Sequence, residues 1–274
     1  MKKIAIITNF EKENALQISL RLISLLNGRA EVFCPDEDAD RLLGATPLPE
    51  VDLFKTCKLI TVLGGDGTII ATAKKCAEFE NILFGINTGH LGYLSTADSG
   101  NLNQAAELLL SDDIHFDCRY MLKVTVFSEN ASETYNALNE AVLSRGDSSK
   151  LMNFTAYSNG KTICSYRADG IIAATPTGST AYSLAAGGPV LSPDADAMLL
   201  TPICPHMLRS RSIVIPPEKI KIMADEACQL SIDGQRFIPL KKGDYITIEK
   251  STHFTRLVHN NDLSFYDILQ KKLN

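Results

Sequence analysis

Apolar residues in the first half of this chain fall in short runs separated by amphipathic stretches. Residues 4–8 are an apolar run that reads as a buried strand. Residues 14–27 carry Leu16, Leu20, Ile23 and Leu26 at helical spacing, and Gly28 stands where a C-terminal cap belongs. A short strand is expected at 31–34. Residues 35–49, acidic and proline-bearing, read as a loop or as a small helix around Leu42 and Leu43. Residues 59–63, Leu-Ile-Thr-Val-Leu, read as a central buried strand that runs into Gly64-Gly65-Asp66-Gly67-Thr68, with a helix following over 69–75. A strand at 82–86 and a helix at 102–110 complete this half. Strand and helix alternating in this way predict a parallel sheet with helices on its faces, which takes ligands beyond the carboxyl ends of its strands.

From Met121 the period changes to two. Leu122, Val124 and Val126 alternate with Lys123, Thr125 and Phe127, and residues 135–143 are also strand-like. Two hairpins are signalled by Asn159-Gly160, between runs at 151–157 and 162–166, and by Asp233-Gly234, between 229–232 and 235–238. Residues 245–249 add a strand. The fold class expected is therefore an α/β N-terminal domain with a Rossmann-like parallel sheet, followed by a β-rich, β-sandwich-like C-terminal domain. The boundaries read as 1–115 for the first and 116–254 for the second. Residues 262–273, with Leu263, Tyr266, Leu269 and Leu273 at helical spacing, are expected to return to the first domain within a segment 255–274.

Composition narrows the function classes. A formal charge of −5 argues against a nucleic-acid binder that relies on a basic face. Seven cysteines without a Cys-x-x-Cys read as reduced, mostly buried thiols of a cytoplasmic protein, and the five histidines show no zinc spacing. The apolar run after Met1-Lys2-Lys3 is too short for an export signal, and no run could span a bilayer, so no membrane association is expected.

Two stretches carry chemistry. In the first, Gly64, Gly65 and Gly67 permit positive φ and remove side chains that would keep a polyanion from the backbone, so their N–H groups can line a phosphate cradle at a helix start with Thr68. A carboxylate in that cradle would repel phosphate, but it makes sense as a base for an attacking hydroxyl or as a partner of a divalent cation; Asp66 is thus the candidate catalytic residue. A tight strand-to-helix turn is the bland alternative. A second glycine-bearing loop, 87–93, is expected to meet the first, with His90 within it. In the second stretch, Thr175-Pro176-Thr177-Gly178-Ser179-Thr180 crowds four hydroxyls into six positions before a helix beginning at 181–186, which suits ribose and base edges better than a simple N-cap. Asn139-Glu140, polar in an apolar segment, reads alone as a loop edge. Neither a Gly-x-x-x-x-Gly-Lys-Ser/Thr loop nor a Gly-x-Gly-x-x-Gly turn occurs, which removes P-loop and hydride-transferring Rossmann sites.

Gly64-Gly65-Asp66-Gly67-Thr68, Gly89-His90-Leu91-Gly92, Asn139-Glu140, Asp169-Gly170, the string from Thr175 to Tyr182 and Gly187-Gly188-Pro189 stand in the order and spacing of bacterial NAD kinases, which the chain resembles over nearly its whole length. Gly-Gly-Asp-Gly-Thr is shared with diacylglycerol and sphingosine kinases; the Thr-Pro-Thr-Gly-Ser-Thr-Ala-Tyr string is the specific part. The resemblance implies transfer of the ATP γ-phosphoryl, or of phosphate from polyphosphate, to the 2′-hydroxyl on the adenosine side of NAD, with Mg²⁺ or another divalent cation. By the same resemblance Asp66 is the base, and Asn139 and Glu140 hold the adenosine end. Asp169 reaches the nicotinamide end, in one arrangement from a neighbouring subunit, with Arg167 beside it. Thr177, Thr180, Ala181, Tyr182, Ser183, Leu184 and Ala185 line the dinucleotide pocket. Lys150, Cys204 and Gln235 fall where the family has further NAD contacts, although a solvated Lys, a buried Cys and a hairpin Gln read equally well. The site is expected in the cleft between the domains, no dedicated protein metal ligands are assigned, and a homodimer or homotetramer is implied. The alternatives are a lipid kinase of the diacylglycerol type and a non-catalytic dinucleotide sensor. No exposed amphipathic segment supports the first, and Asp66 weighs against the second.

Overall fold

The computed structural model describes residues 1–89, 92–129, 131–207, 209–259 and 264–273. The chain divides into two compact units, Met1–Cys118 with Phe254–Asn274, and Arg119–His253.

The first unit is built on five strands, β1 (Lys2–Thr8), β2 (Ala30–Pro35), β3 (Thr46–Leu48), β4 (Leu59–Gly64) and β5 (Ile82–Asn87), in the order β5-β4-β1-β2-β3 and all parallel. A two-residue strand, β6 (Ala97–Asp98), continues beside β5. Arg256 and Leu257, late in the strand Tyr245–Val258, lie parallel to Ile82 and Leu83. All six residues of β4 are buried, as a central parallel strand with both faces covered requires.

The helices are α1 (Ala15–Leu26), α2 (Glu50–Thr56), α3 (Asp66–Glu78) and α4 (Leu102–Leu110). The core joins Ile4, Ile6, Leu22, Leu26, Leu63, Phe84, Ala105 and Leu109. The buried face of α1 is Ala15, Ile18, Ser19, Leu22, Ile23 and Leu26, rotated from the Leu16–Leu20 line that its spacing suggests; Ser19 sits inside because its hydroxyl meets that of Thr8 at 2.7 Å. No helix forms around Leu42 and Leu43. Leu42 is buried and Leu43 exposed, and Thr46–Leu48 instead extends the sheet. Helix α2, absent from the sequence reading, hides only Leu53 and Phe54 in seven residues, too few for a helical period to show.

At the end of the chain, Asp262 and Leu263 lie outside the described residues, and the helix observed is Phe265–Leu273. Ser264 and Asp267 form a reciprocal cap, with Asp267 N–H donating to Ser264 Oγ (3.2 Å) and Ser264 N–H to Asp267 Oδ2 (2.8 Å). Its buried residue is Ile268; Tyr266 and Leu273, expected on the inner face, are exposed.

The second unit is two packed sheets. Its strands are β7 (Phe116–Ser128), β8 (Ala131–Ala137), β9 (Glu140–Ser144), β10 (Met152–Ser158), β11 (Lys161–Ala168), β12 (Gly170–Ala174), β13 (Met198–Ile203), β14 (Ile213–Ile215), β15 (Ile220–Ala224), β16 (Cys228–Ile232), β17 (Arg236–Leu240) and the first part of β18 (Tyr245–Val258). One sheet runs β14-β13-β12-β9-β16-β17, antiparallel throughout. The other runs β11-β10-β15-β18, with β7 on β18 and β8 on β7. Leu122, Val124 and Val126 of β7, Leu143 of β9, Phe154 of β10, Ala173 of β12 and Leu230 of β16 share one core, as period-two burial from both sheets demands.

Both hairpin signals hold. Asn159 and Gly160 have φ of 49° and 75°, and Asp233 and Gly234 of 50° and 64°, the successive left-handed pair that matches strand twist. The single strand expected over 135–143 is two strands, broken at Leu138 and Asn139. The helix expected over 181–186 contracts to α5 (Tyr182–Ala185), preceded by a 3₁₀ turn at Thr177–Thr180.

Candidate active site

In the first unit the strand β4 passes directly into α3, which begins at Asp66, three residues earlier than the spacing suggests. Gly64, Gly65 and Gly67 do not adopt the left-handed region, so the positive φ that glycine permits is not used here. Close approach is the reason at Gly64, where a Cβ would stand 2.6 Å from Thr68 Oγ1, itself bonded by Asn9 Nδ2 at 3.0 Å. At Gly65 and Gly67 the space is open: a Cβ on Gly65 would meet only Lys12 Cε, at 4.0 Å, and one on Gly67 would meet nothing. Beside Gly65 lies a cavity of about 330 Å³ lined by Lys12, Glu13, Asn14, Gly65, Asn87, Thr88 and Gly89. The N-terminal end of a 13-residue helix borders it, so both the helix dipole and the Lys12 ammonium favour an anion there.

The two glycine-bearing loops meet at Asp66. Tyr93 N–H donates to Oδ2 at 3.0 Å and Leu94 N–H to Oδ1 at 3.3 Å. The side chain therefore does not cap its own helix, which has no side-chain cap; it is held by the loop after β5. The charge of Asp66, after burial, raises the Tyr93 phenol. Asn87 Oδ1 accepts Gly89 N–H at 2.9 Å, and Thr88 N–H reaches Gly64 O at 3.2 Å, which ties this loop to the end of β4. His90 and Leu91 lie outside the described residues.

In the second unit the candidates gather around the break between β8 and β9. Asn139 and Glu140 are both buried, and Asn139 Oδ1 has no hydrogen-bond partner among the described residues. A buried amide oxygen without a partner is costly, which marks it as a group awaiting one. The Tyr182 phenol, on an exposed residue at the start of α5, is raised by partial burial and then by the charges of Cys204, Asp169 and Glu140, so these four residues share one electrostatic neighbourhood.

Asp169 is paired with Arg145, Nε to Oδ1 2.7 Å, and not with Arg167. Arg167 is exposed on β11 opposite Asn153, and its carbonyl accepts His206 N–H. Cys204 is exposed rather than buried and takes φ of 44°. Lys150 and Gln235 are exposed in turns, where their main-chain N–H groups donate to Ser148 Oγ and Ile232 O.

The hydroxyl-rich string mostly serves its own turn, contrary to its reading as a row of ligand contacts. Thr175 Oγ1 donates to Leu138 O at 2.6 Å and accepts Gly178 N–H at 3.0 Å. Ser179 Oγ donates to Pro176 O and accepts Leu191 N–H; Thr180 Oγ1 donates to Thr177 O. Ser183 Oγ is 2.9 Å from Thr201 Oγ1 inside the sheet. Thr177 is buried, Thr180, Ala181 and Leu184 are half-buried, and Ala185 is exposed. Gly178 allows the whole arrangement, since a Cβ there would come within 2.1 Å of Asn139 O.

Two further residues contribute that sequence reasoning passed over: Arg145 neutralises Asp169, and the Asp233 carboxylate accepts N–H groups from Leu138, Asn139 and Glu140. Gly92, of the loop expected to meet the first, faces Asp66. Asp233 was hidden because its Asp-Gly pair was already explained by the hairpin. Among the described residues no cluster of three or more His, Cys, Asp or Glu gathers as a metal site, and no helix is long and apolar enough to cross a membrane.

Residues 4–114 match the ATP-NAD kinase N-terminal domain and residues 138–260 the ATP-NAD kinase C-terminal domain. An NAD kinase of Thermoanaerobacter sp. is 36% identical over all of this chain and 99% of its own length, and one from Ruminiclostridium cellulolyticum is 32% identical over all of this chain and 98% of its own. Among solved structures, yeast NADH kinase complexed with NADH superposes with a TM-score of 0.85 at 26% identity, over 98% of this chain and 86% of that one. An NAD kinase from Archaeoglobus fulgidus in complex with ATP gives 0.78 at 26% identity, over 100% and 98%.

Proposed function

The chain belongs to the ATP-NAD kinase family, and from that membership we infer an NAD kinase that transfers the γ-phosphoryl of ATP to the 2′-hydroxyl on the adenosine side of NAD, giving NADP. The observation that supports this chemistry best is the Asp66 carboxylate, held by two main-chain N–H groups at the helix end that borders the cavity beside Gly65. Phosphoryl transfer asks the protein mainly for positioning and charge stabilisation. Asp66 accepts the proton of the acceptor hydroxyl, and the N–H groups of Tyr93 and Leu94 hold its carboxylate in place.

Lys12, Gly65 and the first turn of α3, with Gly64, Gly67 and Thr68 shaping that turn, receive the donor's phosphates. Asn139 and Glu140 hold the adenosine end of the acceptor. Asp169, Tyr182 and Cys204 stand toward its other end, with Thr177, Thr180, Ala181, Ser183, Leu184 and Ala185 forming the wall, and Lys150, Arg167 and Gln235 as outer contacts.

A divalent cation fits this donor set as a companion of the phosphates rather than as a resident ion, since one carboxylate plus substrate phosphates is the usual way Mg²⁺ is held. When bound it would neutralise the triphosphate, and Asp66 is the residue that would hold it together with the phosphates. Polyphosphate as donor, a cytoplasmic location and a homodimer or homotetramer remain part of the reading. Seven unbridged cysteines support the location.

Incubation with NAD, Mg²⁺ and either ATP or polyphosphate, followed by an NADP-specific dehydrogenase, tests the reaction and its donor. No NADP from either donor would overturn it, and sedimentation of a fully active monomer would remove the oligomer.

A further inference from the structure

The turn of the β16–β17 hairpin does more than join two strands. Asp233 is buried, and its carboxylate gathers three consecutive main-chain donors: Leu138 N–H to Oδ2 at 3.0 Å, and Asn139 N–H and Glu140 N–H to Oδ1 at 2.8 and 3.0 Å. Its own N–H returns to Glu140 O at 3.0 Å. Three successive N–H groups converging on one anion fold the backbone into a nest, which an extended strand cannot form. This is why the apolar segment breaks between β8 and β9.

Two of the three carbonyls are held by Thr175. Thr175 N–H donates to Asn139 O at 2.9 Å, and Thr175 Oγ1 to Leu138 O at 2.6 Å. The backbone of 138–140 is thus clamped at its three donors by the Asp233 carboxylate, at the Leu138 and Asn139 carbonyls by Thr175, and at the Glu140 carbonyl by Asp233 N–H. The Asn139 amide oxygen is left buried with no partner among the described residues.

We propose that Asp233 is the positioning residue for acceptor recognition: it fixes the nest from which Asn139 and Glu140 read the adenosine end of NAD, without touching the dinucleotide itself. This rests on the assignment of Asn139 and Glu140 to the acceptor. A hairpin Asp needed only for its turn would leave substrate affinities untouched when replaced by Asn, which suits a left-handed turn position equally well.

The test uses the full-length protein with Asp233→Asn, alone and in an Asn139→Ala/Glu140→Ala background, reading KM for NAD, KM for ATP, kcat and melting temperature. Asn offers one oxygen and turns an NH₂ toward N–H groups that need an acceptor. The expected result is a rise in KM for NAD of ~10-fold or more, with KM for ATP within ~2-fold, and an added effect of under ~2-fold in the double-alanine background, because the side chains being positioned are gone.

An unchanged KM for NAD, equal losses for both substrates, or the same added loss in both backgrounds would each overturn the proposal. If Asn139→Ala and Glu140→Ala leave KM for NAD unchanged, the acceptor assignment fails and takes this proposal with it. If they raise it and Asp233→Asn does not, only the proposal fails. Should Asp233→Asn fail to fold, Asp233→Glu, which keeps the charge but advances it by one methylene, is read against the same limits.

Discussion

A Cβ placed on Gly92 would lie 2.0 Å from Oδ1 of Asp66, so the loop after β5 can hold this carboxylate only where it carries no side chain. Gly92 is buried, and its glycine answers to this contact. Gly92→Ala is expected to push the carboxylate from its place and lower kcat by ~10-fold or more, because small misplacements of a catalytic group are costly. KM for ATP and NAD should stay within about 2-fold, since the reading assigns Gly92 no contact with either substrate. Steady-state kinetics checks this; a normal kcat would show that the carboxylate's present position is not the working one.

Asp66→Asn separates base from scaffold. Loss of a general base lowers kcat by ~10²–10⁴-fold. Asn retains one oxygen for the N–H groups of Tyr93 and Leu94 but turns an NH₂ to the other, so stability should fall by about 1 kcal/mol. For a chain of this size that is a melting temperature lower by roughly 2–4 °C. NAD binding by calorimetry should persist. A variant that keeps most of its kcat would remove Asp66 as the base.

Acceptor choice is tested in the second unit. With Asn139 and Glu140 assigned to the acceptor alone, as proposed, Asn139→Ala and Glu140→Ala should each raise KM for NAD and leave KM for ATP nearly unchanged. A diacylglycerol or a sphingoid base offered with ATP should not be phosphorylated. Lipid phosphorylation, or equal losses for both nucleotides, would show the assignment of the pair to be wrong.

Thiol reactivity gives a probe that needs no turnover. The thiolate is the reactive form, so a thiol whose pKa is raised is inert at neutral and mildly alkaline pH. Burial pushes Cys57 up to about 12, Cys228 is pushed up to about 11, and Cys34, Cys76 and Cys164 are raised by the same cause. Cys118 and Cys204 are exposed. Native labelling at pH 8, followed by peptide mass spectrometry, should modify Cys118 and Cys204 first and the buried thiols only after denaturation. Added NAD should slow Cys204 and spare Cys118. Equal protection of both, or early modification of Cys57, would contradict this geometry.

Periodicity and turn residues together carried the fold class. The continuous apolar run of β4 with its glycine exit, and the period-two burial of Leu122, Val124 and Val126, can be satisfied only by a covered parallel strand and by a sheet packed on one face. The paired turn residues Asn159-Gly160 and Asp233-Gly234 were equally legible, because left-handed φ at two successive positions restricts residue choice strongly. Asp66 stood out too, since a carboxylate among glycines would repel the phosphate that such a cradle suits, with a tight strand-to-helix turn as its structural alternative.

What only the tertiary structure decided are the contacts made across long stretches of chain. The face of α1 turned on a Ser19–Thr8 hydroxyl pair, and helix α2 was too short to announce itself. The threonine and serine string reads as ligand chemistry, yet Thr175, Ser179 and Thr180 bond the main chain that builds their own turn. Gly92 against Asp66, Arg145 against Asp169, and Asp233 beneath Asn139 join residues separated by roughly 25 to 95 positions. Local spacing reports the period of a strand or a helix; it carries no record of which distant backbone a carboxylate will hold, because that is set by how the elements pack.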